Sequence, residues 1–341
     1  MRHPPTSQRG FTLIELMVSV TIGLLLLAGL SALFVGNNQA QAEVEKANRQ
    51  VENGRYAMQL LGSDIRNAGF YGEFDPTPLA NPAAVQDPCA TNMAAIKAAL
   101  PLPVQGYDNV NPLGCLADVR DATDIIVVRH TSTCALGEAG CDAAATGGPF
   151  LQASLCNNQS ELGSGNTDNY YAVGTDSGAL HLHKRDCTAI AGSGTLAVVR
   201  RLETHIYFIA NNNIGSDGIP TLKRAEVVSS GAAMGVNIVP LVEGIENLQI
   251  EYGIDIDNDG VADQFSTVPA TVANWRNVMA VKVNLLARTQ QPSAGYTDKK
   301  SYILGEDSAG LPYVVNPAND HFKRHVFSAL VGLPNQAGRK S

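Results

Sequence analysis

The chain has 341 residues, 45% of them apolar, 16% charged and 6% aromatic, which suits one large domain or two small ones and argues against disorder. Lys and Arg number 24 against 32 Asp and Glu, a formal charge of -8, and an acidic surface does not attract phosphate backbones, so no nucleic acid is expected as a partner. The charged fraction falls below the roughly 25% usual for soluble domains, and the shortfall is concentrated between Phe11 and Asn48.

From Phe11 to Val35 one side chain, Glu15, is ionisable. As a helix rising about 1.5 Å per residue this segment reaches about 37 Å, more than the roughly 30 Å core of a bilayer. Arg2, His3 and Arg9 precede it and the first charge after it is Glu43, so the positive-inside bias places the amino terminus in the cytoplasm and the chain beyond residue 40 outside. A cleaved secretory signal is the alternative, with Ala40-Gln41-Ala42 as its site. Ordinary signals, however, have an apolar core of only about 7–15 residues, and this one is longer and carries a carboxylate.

Glu15 lies one turn from Phe11, near the cytoplasmic headgroups, where a charge costs less than at the bilayer centre. Cleavage after Gly10 would place a new α-amino group on Phe11, and a neighbouring helix could bring that cation to the Glu15 carboxylate. Such a buried pair fixes axial register between helices. Gly10-Phe11-Thr12-Leu13-Ile14-Glu15 resembles the class III signal of type IV prepilins and their type II secretion relatives. The resemblance implies cleavage between Gly10 and Phe11 and N-methylation of Phe11 by a prepilin peptidase, with Glu15 used in filament assembly. Loss of Arg2 and Arg9 with the leader then takes the formal charge from -8 to -10.

Beyond Val35, apolar residues recur at three- and four-residue steps (Val44, Ala47, Val51, Leu61, Ile65, Ala68), and no proline intervenes before Asp75. One helix ending near Gly69 or Gly72 is expected, with two helices hinged at Asn37-Asn38 as the alternative. Glu52-Asn53-Gly54-Arg55-Tyr56-Ala57 and the run from Asp64 to Gly72 resemble the helix end of PilW-type minor pilins. Arg55 and Arg66 are expected to pair with Glu52 and Asp64 around the helix or to meet a neighbouring subunit; solvated helix charges are the usual outcome. Seven prolines between Glu73 and Ala122 predict an irregular excursion, with a short helix at Met93–Leu100. Strands are predicted at Asp124–His130, Asn169–Val173, Ala179–Lys184, Leu196–Ala210, Thr221–Val228, Leu248–Ile254, Val278–Thr289, Lys300–Leu304 and Lys323–Leu333.

Cys89, Cys115, Cys134, Cys141, Cys156 and Cys187 all precede the strand-rich half. An even count outside the membrane fits three disulfides. Fifteen pairings are possible, and nearest neighbours in sequence (89 with 115, 134 with 141, 156 with 187) are the expected ones. Metal ligation is disfavoured because no C-x-x-C pair occurs.

Asp255, Asp257, Asp259, Val261 and Asp263 occupy positions one, three, five, seven and nine of an EF-hand-type calcium loop with Gly260 at six, but Ser266 stands where a bidentate Glu is expected. Weak Ca²⁺ binding and a bare Asp/Gly hairpin turn are both open. His181 with His183, and His321 with His325, are candidate zinc pairs without an evident third ligand. No Gly-x-Ser-x-Gly, Walker loop or Gly-x-Gly-x-x-Gly points to an enzyme, and no cofactor is required.

The expected architecture is α+β: a leader (1–10), a long helix (11–72) spanning the membrane at about 11–35, and an extracytoplasmic head (73–341) of mainly antiparallel sheet, disulfide-rich over 73–195 and strand-rich over 196–341. The PilW-like resemblance, which covers the leader, the helix, the Asp-rich turn and the strand Val278–Arg288, implies a structural minor pilin. Such a protein waits in the inner membrane and then enters the pilus in the periplasm and at the cell surface, helping to initiate assembly at or near the tip. Its partners would be other minor pilins, the major pilin, prepilin peptidase and the inner-membrane assembly platform. A J-type pseudopilin of type II secretion and a membrane-tethered adhesin are the alternatives.

Overall fold

The computed structural model describes residues 10–141, 148–162, 170–187, 194–230, 233–317 and 319–340. The leader residues Arg2, His3 and Arg9, and the start of the predicted strand at Asn169, lie outside the described residues. The chain divides into two compact units, Met1–Arg49 and Gln50–Ser341. Helix α1 (Leu13–Asn67) is continuous through Asn37-Asn38, so the hinged alternative is not what forms.

In the first unit α1 is long and apolar enough to cross a membrane. Leu24, Leu25, Leu26, Leu27 and Phe34 are all exposed, although they point in different directions around the axis. A helix apolar on every side needs lipid or other helices to cover it.

The second unit contains the rest of α1, followed by α2 (Met93–Ala99), β1 (Val104–Tyr107), β2 (Ile125–Thr131), β3 (Phe150–Ala153), α3 (Gln159–Leu162), β4 (Tyr171–Gly174), β5 (Val199–Ala210), β6 (Thr221–Ser230) and β7 (Ala233–Glu243). β8 (Ile245–Ile254), β9 (Gln264–Ser266), α4 (Val272–Arg276), β10 (Val278–Arg288), β11 (Tyr302–Glu306), β12 (Pro312–Val315), β13 (Arg324–Gly332) and α5 (Pro334–Ala337) complete it. Among the described residues the strands make a seven-stranded sheet ordered β1-β2-β5-β3-β4, with β6 on β5 and β7 on β6, a four-stranded sheet β13-β10-β8-β9, and the hairpin β11-β12. The pairings are antiparallel.

The twelve-residue strand β5 organises the larger sheet. Its first residues pair with β3 and its last six with β6, while Leu202–Tyr207 pair with β2 on the other side. Residues 205–210 are all buried, which is why this stretch reads as a continuous apolar run rather than an alternation. The main core joins Ala57, Leu61 and Ile65 of α1 to Val281, Val283 and Leu285 of β10, Ile250 and Tyr252 of β8, Val128 of β2, and Tyr207 and Ile209 of β5. Each fully buried aliphatic side chain contributes about 1.5–3 kcal/mol. Polar contacts set the axial position of the helix: Gln50 Nε2 donates to the carbonyls of Ala287 (2.8 Å) and Lys323 (3.0 Å), and Asn53 Nδ2 to that of Glu243 (3.0 Å).

Two expectations change. The predicted strand Ala179–Lys184 does not form: a 3-10 turn occupies Ser177–Ala179, and the ladder is reduced to a single bridge between His183 and Leu196. Asp64 does not pair with Arg66 around the helix; it turns inward, while Arg66, Arg55 and Glu52 stay exposed.

Candidate functional site

At the start of α1, Thr12 and Glu15 cap the helix reciprocally. Thr12 Oγ1 accepts from the Glu15 amide (3.3 Å), and Glu15 Oε2 accepts from the Thr12 amide (2.9 Å) and hydroxyl (2.8 Å). This T-x-x-E capping box satisfies two donors that a helix start leaves open, and it holds a carboxylate at the positive end of the helix dipole. The spacing is legible in the sequence, yet the sequence reading sought the partner of Glu15 only in another subunit. Gly10 and Phe11 lie just before the box and are exposed, so the box sets the Glu15 carboxylate within one turn of the residue that cleavage after Gly10 would make the new terminus.

The acidic loop follows β8. One carboxylate oxygen each from Asp255, Asp257 and Asp263 come within 4.8 Å of one another. Asp255 is buried and accepts from the amides of Asn258 (2.6 Å) and Gly260 (3.0 Å), and Asp263 Oδ2 accepts from Ile256 (2.7 Å). Gly260 turns the chain at φ +86°, a conformation a side chain would oppose. Asp259 falls outside this trio and accepts from the Val261 amide (2.8 Å). Ser266 Oγ donates to the Val268 carbonyl (3.1 Å). Three converging carboxylates supply part of the roughly six to eight oxygens that Ca²⁺ takes, and the same loop closes on its own amide donors.

Disulfides join Cys89 to Cys115, Cys134 to Cys141 and Cys156 to Cys187, with Cα separations of 6.0, 5.7 and 5.5 Å. The histidine pairs are not brought together as ligands. His181 is exposed, whereas His183 is buried with its Nδ1 2.8 Å from Glu161 Oε2. His321 Nδ1 lies 2.5 Å from the Tyr296 carbonyl, and His325 meets Phe327 edge to face with ring centroids 4.7 Å apart.

A second polar cluster was missed in the sequence. Asp64 of α1 is 9% exposed and meets two strands of the larger sheet. Its Oδ1 lies 2.8 Å from His130 Nε2 of β2, and its Oδ2 lies 2.9 Å from His205 Nδ1 and accepts from the Tyr207 hydroxyl of β5 (2.9 Å). Burial pushes the Asp64 carboxyl up, but the hydrogen bonds and positive charge of His130 and His205 outweigh it and hold the group well below the usual carboxylate range. For His130, burial disfavours the charged ring, and the Asp64 carboxylate more than reverses this, so its pKa is raised. One signal was available: Asp64 falls three and seven residues after Leu61 and Ala57, on the helix face that the apolar pattern buries.

Residues 206–335 match the family model of type IV pilus-assembly protein W, and residues 5–31 match the prokaryotic N-terminal methylation motif. Among solved structures, the chain is similar to a type IV-like pilin from Thermus thermophilus, at 13% identity and a TM-score of 0.35 over 84% of this chain and 97% of that one. No curated protein matches the chain significantly. The chain thus joins a prokaryotic N-terminal methylation motif at its amino terminus to a carboxyl-terminal region similar to type IV pilus-assembly protein W, two features of type IV pilin-like proteins.

Proposed function

We propose that the protein is a minor pilin of a type IV pilus. It waits in the inner membrane with its amino terminus in the cytoplasm, is cut between Gly10 and Phe11, is methylated on Phe11, and enters the fibre through α1 with other minor pilins and the major pilin. Its place is at or near the tip, where it helps to initiate assembly on the inner-membrane platform. The role is structural rather than catalytic. One observation carries this reading: the Gly10-Phe11…Glu15 motif heads a helix whose exposed apolar surface has to be covered, in the same chain as a PilW domain. The acidic loop is proposed as a weak Ca²⁺ site held by Asp255, Asp257 and Asp263, with Asp259 and the Val261 carbonyl nearby in sequence.

The test is incorporation. Cells producing Glu15→Ala should keep the protein in the membrane fraction, lack it in sheared pili and assemble fewer pili. Normal piliation with Glu15→Ala in the fibres would contradict the reading. If loss of the gene instead blocks secretion of folded exoproteins and leaves pili intact, the protein serves type II secretion.

A further inference from the structure

As a hydrogen-bond network, the Asp64 cluster closes only with a cation, either a second ring proton or a metal ion, between His130 and Asp64. His130 Nδ1 lies 2.9 Å from the Thr131 carbonyl, which only accepts, so Nδ1 carries a hydrogen. The other nitrogen of that ring, Nε2, lies 2.8 Å from Asp64 Oδ1, and an ionised carboxylate also only accepts. A ring with one hydrogen therefore sets a lone pair against a carboxylate oxygen, and a cation is needed between them.

Three features favour a metal ion in that position over a bare proton. First, the donors form a set: one ligand atom each from Asp64, His130 and His205 lie within 4.8 Å of one another, supplied by α1, β2 and β5. A tetrahedral ion with bonds of about 2.0–2.1 Å keeps its ligands about 3.3 Å apart, so small side-chain shifts complete the geometry. Second, the ligands are oriented from behind. His130 is fixed through Nδ1 by a backbone carbonyl and Asp64 through Oδ2 by the Tyr207 hydroxyl, which is the usual support of metal-bound imidazole and carboxylate. Third, a cavity of about 370 Å³ adjoins the cluster, bordered by Asn67, Ser132 and Glu203 as well as by the three ligands. It provides an entry path and room for water in a fourth position.

We propose that Asp64, His130 and His205 form a site for one divalent transition-metal ion, Zn²⁺ being the ion that fits, which fastens helix α1 to strands β2 and β5. Two imidazole nitrogens with one carboxylate suit zinc and its first-row neighbours, whereas the all-oxygen acidic loop suits calcium, so the two sites separate by chemistry. His130 and Asp64 lie outside the PilW-matched span, and His205 is the residue just before it.

The experiment uses the untagged full chain in detergent, stripped by a chelator and titrated at neutral pH with Zn²⁺ by calorimetry and elemental analysis, and with Co²⁺ by visible absorption. The expected result is one Zn²⁺ per chain and the d–d bands of four-coordinate Co²⁺. His130→Ala and His205→Ala should each weaken Zn²⁺ binding by more than about 100-fold, beyond the 10–100-fold typical of losing an outer-shell partner. Asp257→Ala should leave it unchanged. The Co²⁺ spectrum of the unaltered chain needs no variant, so it decides the matter even where a histidine variant misfolds. Absence of stoichiometric Zn²⁺ and of four-coordinate Co²⁺ in the unaltered chain, or full affinity in a folded His205→Ala, would overturn the proposal and leave a proton as the bridging cation.

Discussion

Gly54 gives a sharp test of how α1 packs. A Cβ built on it would lie 2.1, 2.5 and 2.6 Å from Cε2, Cζ and Cδ2 of the Phe327 ring on β13. Gly54→Ala therefore forces the ring aside, an overpacking cost of about 1–3 kcal/mol. Replacing Gly in a helix interior also gains about 1 kcal/mol of helix propensity, so the net loss should be about 1 kcal/mol. In a Phe327→Ala background the obstacle is gone, and the same substitution should stabilise by about 1 kcal/mol, a coupling of about 1–3 kcal/mol. Urea unfolding followed by the single tryptophan reads this directly, because Trp275 is buried in the core that α1 joins. If Gly54→Ala has the same sign and size in both backgrounds, the close approach is not what requires glycine there.

Three further outcomes are expected. Arg324 is buried and binds Glu246, Asp298 and Asp320. Arg324→Met should cost about 3–5 kcal/mol at neutral pH by leaving the buried Asp298 carboxylate without a cation, while Glu246 keeps Arg120 and Arg288. Burial raises the Asp298 carboxyl but the Arg324 hydrogen bond and its neighbours lower it further, and the Arg324 hydrogen bond lowers Asp320. Their stabilisation is thus present above about pH 4 and lost as pH falls through the lowered values. The gap between variant and parent should narrow in acid unfolding, and a pH-independent gap would contradict the pairing. Replacing Cys156 and Cys187 by Ser should cost about 1 kcal/mol more than replacing Cys134 and Cys141, since the sequence separations are 31 and 7; equal denaturation midpoints would rule out loop closure as the dominant effect. Ca²⁺ should raise the thermal midpoint of the parent chain and not of Asp257→Ala, and equal shifts would remove the acidic loop as a site.

Elements with a periodic apolar stripe or a long, largely apolar run were legible in the sequence. The α1 stripe, β2, β5, β8 and β10 each carry a long apolar stretch or face, and their predicted bounds lie within a few residues of the observed ones. β7 was not, because Gly235, Asn237 and Pro240 interrupt it and much of it is exposed; its support is the β6 ladder rather than a buried face. β1 and β3 are four-residue strands beside prolines, held by the neighbours β2 and β5. Conversely, His181-Leu182-His183 alternates like a strand, but Glu161 and the Cys156–Cys187 bridge hold it in a loop. Site chemistry divided the same way. Motifs local in sequence, such as Gly10-Phe11…Glu15 and Asp255…Asp263, announced themselves. The Asp64 cluster draws on residues 66 and 141 positions apart, and only the packing of α1 on two strands brings them together.

The most direct measurement is mass spectrometry of the protein extracted from membranes and pili. A mature chain beginning at Phe11 and carrying one added methyl group on its amino nitrogen is the predicted result. A chain beginning at Glu43, or one that keeps Met1–Gly10, would mean that α1 does not enter a fibre as argued.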